Sequence, residues 1–138
     1  MSIDPALIAR IAAIAAAVLF AGLVLFQLAL ALGAPWGRAA YGGQTAELSV
    51  PLRVTSAVAA VIWTGVTLAV LRRAGFEVWA PVPSSWLPVV IWVVVGLAAI
   101  AVVMNAITPS ALERAIWLPV AIVLLASTTT VALAASHR

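Results

Sequence analysis

NAITPSALER, residues 105–114, is the shortest break between two long apolar runs of this chain. It holds one of the four acidic residues, Glu113, directly beside one of the seven arginines, Arg114. A second polar stretch, residues 33–53, separates the first two apolar runs. If the runs cross a bilayer one after another, both polar stretches emerge on the same side. The unusual polar residues of the chain then collect at one membrane face.

The composition of the 138-residue chain is that of a membrane protein, with 66% hydrophobic and 8% charged residues. Soluble globular domains contain roughly 45–50% apolar and about 25% charged residues. A soluble domain of this length has too little interior to hide so much apolar surface, whereas lipid replaces water around the outward faces of a membrane protein. We therefore predict a single membrane domain, residues 1–138. It is expected to be all-α, because an isolated spanning segment satisfies its main chain only as a helix.

The apolar runs predict four transmembrane helices, at about residues 7–32, 52–71, 85–104 and 111–135. Pro5, Pro51 and Pro88 each fit the first turn of a helix, where the main-chain N–H has no partner in any case. Gly33 suits the end of the first helix. The first run exceeds the apolar core of about 7–15 residues in a signal peptide, so we interpret it as a retained helix. The predicted architecture is a polytopic four-transmembrane-helix bundle.

Residue types that are absent or rare exclude several functional classes. The chain has no cysteine, and its single histidine, His137, is the next-to-last residue. Disulfides and thiolate metal sites are therefore excluded, and we expect neither a metal site nor a cofactor. The net charge of +3 comes from arginines that are scattered at segment ends. This distribution is typical of a membrane protein and not of a basic stripe that binds nucleic acid.

The distribution of arginines also indicates an orientation. Arginines are more numerous on the side of the N-terminus, the middle loop and the C-terminus than on the opposite side, and Arg72 and Arg73 are paired in a short loop. Because cytoplasmic loops carry an excess of positive residues, both termini are predicted to be cytoplasmic. We expect a bacterial inner-membrane protein whose polar end, residues 33–53 and 105–114, faces outward.

The first apolar run carries a face of small residues, which permits close helix approach. It consists of Ala9, Ala12, Ala13, Ala16 and Ala17. A bundle of this size has little interior, so this face is predicted to pack between subunits. We therefore expect a homo-oligomer, most simply a homodimer, or a larger membrane complex.

Seven residues near the polar end are the candidate ligand-binding residues: Gln27, Trp36, Tyr41, Arg53, Asn105, Glu113 and Arg114. A carboxylate and two guanidiniums in low dielectric would bind an anionic or strongly polar head group. An apolar tail could rest between the helices. The predicted ligand is a membrane lipid or another amphiphile, such as a quinone or an isoprenoid.

Glu113 has two interpretations that the sequence leaves open. Ser110-Ala111-Leu112-Glu113 fits a capping box, in which Ser110 caps the fourth helix and Glu113 bonds back to the cap amide. Alternatively, Glu113 contacts Arg53 or the first loop across the bundle. Arg53 is unfavourably placed in the first turn of its helix. We therefore expect a partner for it, which could be Glu47, Glu113, a lipid phosphate or a ligand.

The leading functional prediction is a non-catalytic module that binds a lipid-like amphiphile or a partner membrane protein at its polar end. Enzyme templates fit poorly, because the chain has no Ser-His or Cys-His pair and no paired-carboxylate motif. A membrane enzyme acting on an amphiphilic substrate is the first alternative, with unknown catalytic residues. A small transporter or channel subunit is the second. Transport is less favoured, because no segment interior carries an ionisable group for proton coupling.

Several short motifs give the chain a recognisable layout. They are Phe26-Gln27, Gly33-Ala34-Pro35-Trp36-Gly37, Gly42-Gly43, Pro51-Leu52-Arg53, Asn105 and Ser110-Ala111-Leu112-Glu113-Arg114. In this layout the chain resembles small bacterial four-segment integral membrane proteins of unassigned function. The resemblance covers nearly the whole chain, and it implies a topology without an activity.

Overall fold

Four long helices dominate the computed structural model, which describes residues 2–137. They are α1 (Pro5–Ala31), α2 (Val50–Arg73), α3 (Leu87–Ile107) and α4 (Ala111–Ala134). Short 3₁₀ turns lie at Gly37–Ala39, Tyr41–Gly43, Ser84–Trp86 and Ala135–His137. Residues 2–137 contain no strand, and the predicted all-α four-helix bundle is confirmed.

Each of the four helices is long and apolar enough to cross a membrane. Their outward faces carry large hydrophobic side chains that suit contact with lipid. Leu32, Val61 and Val89, for example, are 83%, 74% and 68% exposed. Since a water-soluble bundle would bury such residues, the chain is a small integral membrane protein.

α1 begins and ends at the residues that the sequence indicates. Asp4 caps it by accepting a 2.9 Å hydrogen bond from Ala6 N–H, and Pro5 is the first helical residue. At the other end, Gly33 takes a left-handed backbone with φ 98°. This conformation lets Ala34 N–H reach the Ala29 carbonyl at 2.9 Å, which satisfies an otherwise unpaired helix carbonyl.

α3 continues beyond the predicted end at Met104 to Ile107. The side chain of Asn105 does not break the helix, because its Nδ2 donates to the Ala101 carbonyl one turn earlier at 2.8 Å. The helix ends at Thr108, whose φ and ψ of −58° and 140° are extended. The following Pro109 disfavours helical geometry at the residue before it.

α1 packs against both α2 and α4, and α4 packs against α3. Contact between α2 and α3 is much less extensive. Ala9, Ala13 and Ala16 of α1 are completely buried within the chain, in a cluster with Val70 and Val131. The prediction that this alanine face lies between subunits is therefore wrong: its small side chains serve close packing inside the bundle. Oligomerisation stays a prediction, without this surface to support it.

The two polar stretches lie at one end of the bundle, as predicted. Gly42 N–H, in the first stretch, donates to Glu113 Oε2, in the second, at 3.1 Å. At the opposite end the side chain of Arg10 donates to the Gly75 carbonyl at 3.1 Å. The middle loop therefore lies beside the beginning of α1, away from both polar stretches.

This topology predicts opposite reactivity for two single-cysteine variants. Gln44 and Glu77 are both exposed, and no native cysteine competes with a label. In sealed membrane vesicles, Gln44→Cys should react with a membrane-impermeant maleimide from one face and Glu77→Cys only from the other. Reaction of both variants from the same face would contradict the four-span topology.

Candidate functional site

The loop between α1 and α2 folds back over the polar end of the bundle. Ala39 and Ala40 within it are buried, at 5% and 8% exposure. The turn that follows is left-handed, because Tyr41, Gly42 and Gly43 have φ values of 49°, 80° and 70°. Two of these positions are glycine, which adopts positive φ without a Cβ clash. The loop, residues 32–49, is therefore compact and not extended, and it covers the polar end of the bundle.

Side chains on one face of α4 bond this loop and fix its position. Ser110, Glu113 and Trp117 are spaced i, i+3 and i+7, so their side chains project from the same side of the helix. Ser110 Oγ donates to the Arg38 carbonyl at 2.7 Å, and Trp117 Nε1 donates to the Ala39 carbonyl at 2.9 Å. The side chains of α4 thus satisfy main-chain groups of a loop more than 70 residues earlier in the chain.

Each of the two interpretations of Glu113 that the sequence left open is partly correct. The N–H of Glu113 donates to Ser110 Oγ at 3.1 Å, so Ser110 caps α4. The Glu113 carboxylate does not bond back to the cap: Ser110 N–H donates to Thr108 Oγ1 at 3.3 Å instead. Glu113 Oε2 accepts from Gly42 N–H at 3.1 Å and from Thr108 Oγ1 at 2.6 Å. The carboxylate therefore ties the first loop to the start of α4.

Within the described part of the chain, Arg53 bonds neither Glu47 nor Glu113, the two carboxylates named as its possible partners. Its Nε–H donates to the carbonyl of Ala31, the last residue of α1, at 3.0 Å. The negative end of the α1 dipole thus compensates a cation that is unfavourable in its own helix. Within residues 2–137, Arg53 makes no ion pair with Glu47 or Glu113. The pairing of Glu113 with Arg53 is wrong, while its contact with the first loop is confirmed.

The other arginines of the polar end also bind carbonyl groups. Arg114 Nη1 donates to the Thr108 carbonyl at 2.7 Å, which satisfies the chain just after α3. Arg38 Nη1 donates to the carbonyls of Gly43 and Gln44, both at 3.2 Å, and so braces the left-handed turn from inside the loop. These guanidiniums stabilise the polar end and do not converge on a common ligand site.

A cavity of about 310 Å³ lies beneath the loop, inside the bundle. Its deep walls are apolar and include Val94 and Leu124. Aromatic rings form much of the remaining wall: Phe20 stacks on Trp63 with centroids 5.4 Å apart, and Phe26 meets Trp117 at 4.8 Å. The shape and lining are those of a ligand pocket, which is mostly apolar with a few placed polar groups.

The polar groups of the cavity lie at the end covered by the loop. Gln27 Oε1 is buried and has no hydrogen-bond partner among the described residues. Asn105 uses its Nδ2 on its own helix, and no described residue bonds its Oδ1. Tyr41 contributes a hydroxyl that is 2.8 Å from Ser56 Oγ. This end therefore offers hydrogen-bonding capacity that the described part of the chain does not use.

The cavity brings together four of the seven predicted ligand-binding residues: Gln27, Tyr41, Asn105 and Glu113. The other three lie elsewhere. Trp36 stacks outside the cavity on Phe26 at 6.3 Å, while Arg53 and Arg114 bind carbonyls as described.

Sequence reasoning missed Trp117, Phe26 and Trp63 as lining residues. The i, i+3, i+7 spacing from Ser110 to Trp117 was available as a signal, because it follows directly from the predicted helix. Nothing in the local sequence distinguishes Phe26 or Trp63 from residues that face lipid, since both surroundings are apolar.

Glu113 is the one carboxylate in the described lining of the cavity, which includes no histidine. No protein-family model, no curated protein and no solved structure matches this chain.

The absence of an Arg53–Glu113 pair gives a first prediction for the site. Glu113→Gln keeps an oxygen that accepts hydrogen bonds from Gly42 and Thr108, so it should lower the unfolding free energy by well under ~1 kcal/mol. Glu113→Ala removes this acceptor and should lower the unfolding free energy by about 1–3 kcal/mol. Arg53→Gln and Glu113→Gln should have additive effects in a double-mutant cycle measured by unfolding in mixed micelles. A coupling energy above ~1 kcal/mol would contradict this prediction and show that Arg53 and Glu113 interact.

The left-handed turn supplies a prediction with a matched control. A Cβ at Gly43 would lie 2.6 Å from Ser110 Oγ and 2.7 Å from the Arg38 carbonyl, whereas at Gly42 its nearest neighbour is Pro109 at 3.9 Å. Both alanine variants should cost about 1–2 kcal/mol because φ is positive. Gly43→Ala should cost roughly 1–3 kcal/mol more, because it also displaces Ser110. Equal thermal stabilities for the two variants would show that the Ser110 contact contributes nothing.

Proposed function

We propose that this membrane protein is a non-catalytic module that binds an amphiphilic molecule in its intramembrane cavity. The apolar part of the ligand occupies the space between the helices, and its polar head lies at Gln27, Asn105 and Glu113. The observation that carries the proposal is the cavity itself, an apolar volume that ends at a buried amide oxygen without a protein partner.

The unpartnered amide favours a polar occupant. A buried polar group that makes no hydrogen bond costs about 1–3 kcal/mol. Gln27 Oε1 is such a group among the described residues, and the unused oxygen of Asn105 lines the same cavity. A head group with a hydrogen-bond donor would satisfy both oxygens. The remaining wall suits hydrocarbon, because it is formed by aliphatic and aromatic side chains.

The size of the cavity limits the part of a ligand that it can enclose. An apolar cavity of about 150 Å³ holds one benzene molecule, so about 310 Å³ corresponds to roughly a dozen heavy atoms. A longer chain would have to leave the bundle. The opening that suits it is the seam between α2 and α3, where contact is sparse and α2 contributes Trp63 alone to the described lining.

The loop favours entry from the bilayer over entry from water. It covers the polar end of the cavity with Ala39 and Ala40, and the face of α4 fixes it there. A ligand that arrives through the α2–α3 seam need not open this cover. This route suits a molecule that is already dissolved in the membrane.

The position of Glu113 favours binding over catalysis. A general acid or base needs a carboxylate that can exchange its proton with a substrate. Glu113 Oε2 instead accepts two hydrogen bonds that hold the loop and the start of α4 in place. For this reason the enzyme alternative is less well supported than the binding module.

Filling the cavity tests the proposal. Ala98 and Ala121 are buried and line it, so the double variant Ala98→Leu/Ala121→Leu adds six carbons, about one benzene equivalent. Ala106→Leu/Ala115→Leu adds the same carbons at exposed positions outside the lining. Mass spectrometry of protein extracted in mild detergent should detect a bound amphiphile in the wild type and the control. Its occupancy should be at least about tenfold lower in the filled variant.

The unfolding temperature shows whether a lower ligand occupancy in the filled variant comes from the filled cavity or from a damaged fold. The filled variant should unfold at the same temperature as the ligand-free wild type or higher, because added carbons replace empty space. A wild type without any bound amphiphile, or equal occupancy in both double variants, would refute the proposed function.

A further inference from the structure

We propose that the head group recognised in this cavity is an organic cation, such as a quaternary ammonium or a protonated amine. This inference rests on the proposed function of the cavity and narrows its ligand class. Two features support it independently: the charge balance of the described lining, and the aromatic rings that lie close to its one carboxylate.

The described lining carries a negative charge without a positive one. Glu113 contributes a carboxylate, and no arginine of the described residues is part of the lining. Glu113 Oε2 accepts from Gly42 and Thr108, which are neutral donors, while Oε1 has no hydrogen-bond partner within residues 2–137. Glu113 is half-buried, and a charge that is partly removed from water gains more from an ion pair than an exposed charge does. A cationic ligand would supply the pair.

Aromatic rings line the cavity at the same end as Glu113. Trp117 lies one helical turn after Glu113 on α4, so the two side chains project from neighbouring positions on the same face. The ring of Phe26 is 4.8 Å from that of Trp117, and Tyr41 lines the same end from the loop. The face of an aromatic ring attracts a cation within about 6 Å, and several rings together recognise quaternary ammonium groups.

An anionic head group fits this lining poorly. The expectation of an anion relied on Arg53 and Arg114, which the structure places outside the cavity. Arg53 instead borders a separate groove of about 370 Å³ with Ala31, Val50, Val54 and Ala57. A neutral head group could bond Gln27 and Asn105, but it would leave the carboxylate without a counter-charge. Among the three classes of head group, the cation alone supplies a counter-charge for Glu113, and a protonated amine would also donate hydrogen bonds to the oxygens of Gln27 and Asn105.

Matched probes separate these classes. Hexyltrimethylammonium, 1-octanol and hexane-1-sulfonate have similar sizes and carry a cationic, a neutral and an anionic head. Each is titrated into protein in a non-ionic maltoside detergent, and binding is followed by intrinsic tryptophan fluorescence. Trp63 and Trp117 of the cavity contribute to it together with four tryptophans outside the described lining. Ala98→Leu/Ala121→Leu serves as the control for partition into the micelle.

The cation should bind the wild type at least about tenfold more tightly than either other probe. Glu113→Gln should remove this preference, because the amide still anchors the loop but no longer carries a charge. Glu47→Gln, which neutralises an exposed carboxylate outside the lining, should keep the preference. The comparison of the three probes on wild-type protein needs no variant, so it remains decisive if Glu113→Gln fails to fold.

Each contrary outcome is distinct. If 1-octanol or the sulfonate binds as tightly as the cation, and the filled variant abolishes that binding, the cavity is a binding site but the charge proposal is wrong. If Glu47→Gln removes the preference for the cationic probe as fully as Glu113→Gln does, that preference comes from the surface charge of the protein. The charge proposal then also fails. If no probe distinguishes the wild type from the filled variant, the proposed function fails together with the charge proposal.

Discussion

The hydrogen bond from Gly42 N–H to the carboxylate of Glu113 is the contact on which the arrangement of the polar end depends. It joins the first loop to the last helix, two parts of the chain that are 71 residues apart. The same oxygen accepts from Thr108, so a single carboxylate fixes the loop, the α3–α4 connection and the start of α4 relative to one another. The loop lies over the polar end of the cavity because these three segments are held together. Hydrogen bonds to a charged acceptor are stronger than those between neutral groups, which suits a contact of this kind at a membrane surface.

Four arginines of the described residues, Arg10, Arg38, Arg53 and Arg114, donate to main-chain carbonyls where ion pairs would be expected. Arg53 bonds the last carbonyl of α1, and Arg114 bonds the carbonyl of Thr108. Helix ends leave carbonyl groups without partners, and near a membrane such groups are costly. With only four acidic residues in the chain, carboxylates are too few to pair with seven arginines. Helix dipoles and carbonyls take their place as counter-charges.

Most of the fold could be predicted from the sequence, because composition and helix signals act locally. The four helices, the cap at Asp4 and the end at Gly33 all follow from residues within one or two turns. The partner of Arg53 could not be predicted, because the choice between Glu113 and a helix carbonyl depends on how the helices are positioned relative to one another. The alanine face of α1 was assigned to the wrong interface for a similar reason. A stripe of small residues indicates close approach, but it does not say whether the neighbour belongs to the same chain. Of the candidate site, the polar groups could be identified because they are rare, whereas the aromatic wall is hidden among ordinary membrane residues.

The attachment of the first loop to α4 has a consequence for the biosynthesis of the protein. A chain made from its N-terminus exposes residues 33–49 early, while Ser110, Glu113 and Trp117 emerge only with the last helix. Until then the loop lacks the side chains that fold it over the bundle, and the space beneath it stays open to the surrounding lipid. The cavity is therefore completed only when α4 has been inserted into the membrane. A hydrophobic molecule could be enclosed at that moment, as the bundle assembles around it, without ever passing through the finished wall.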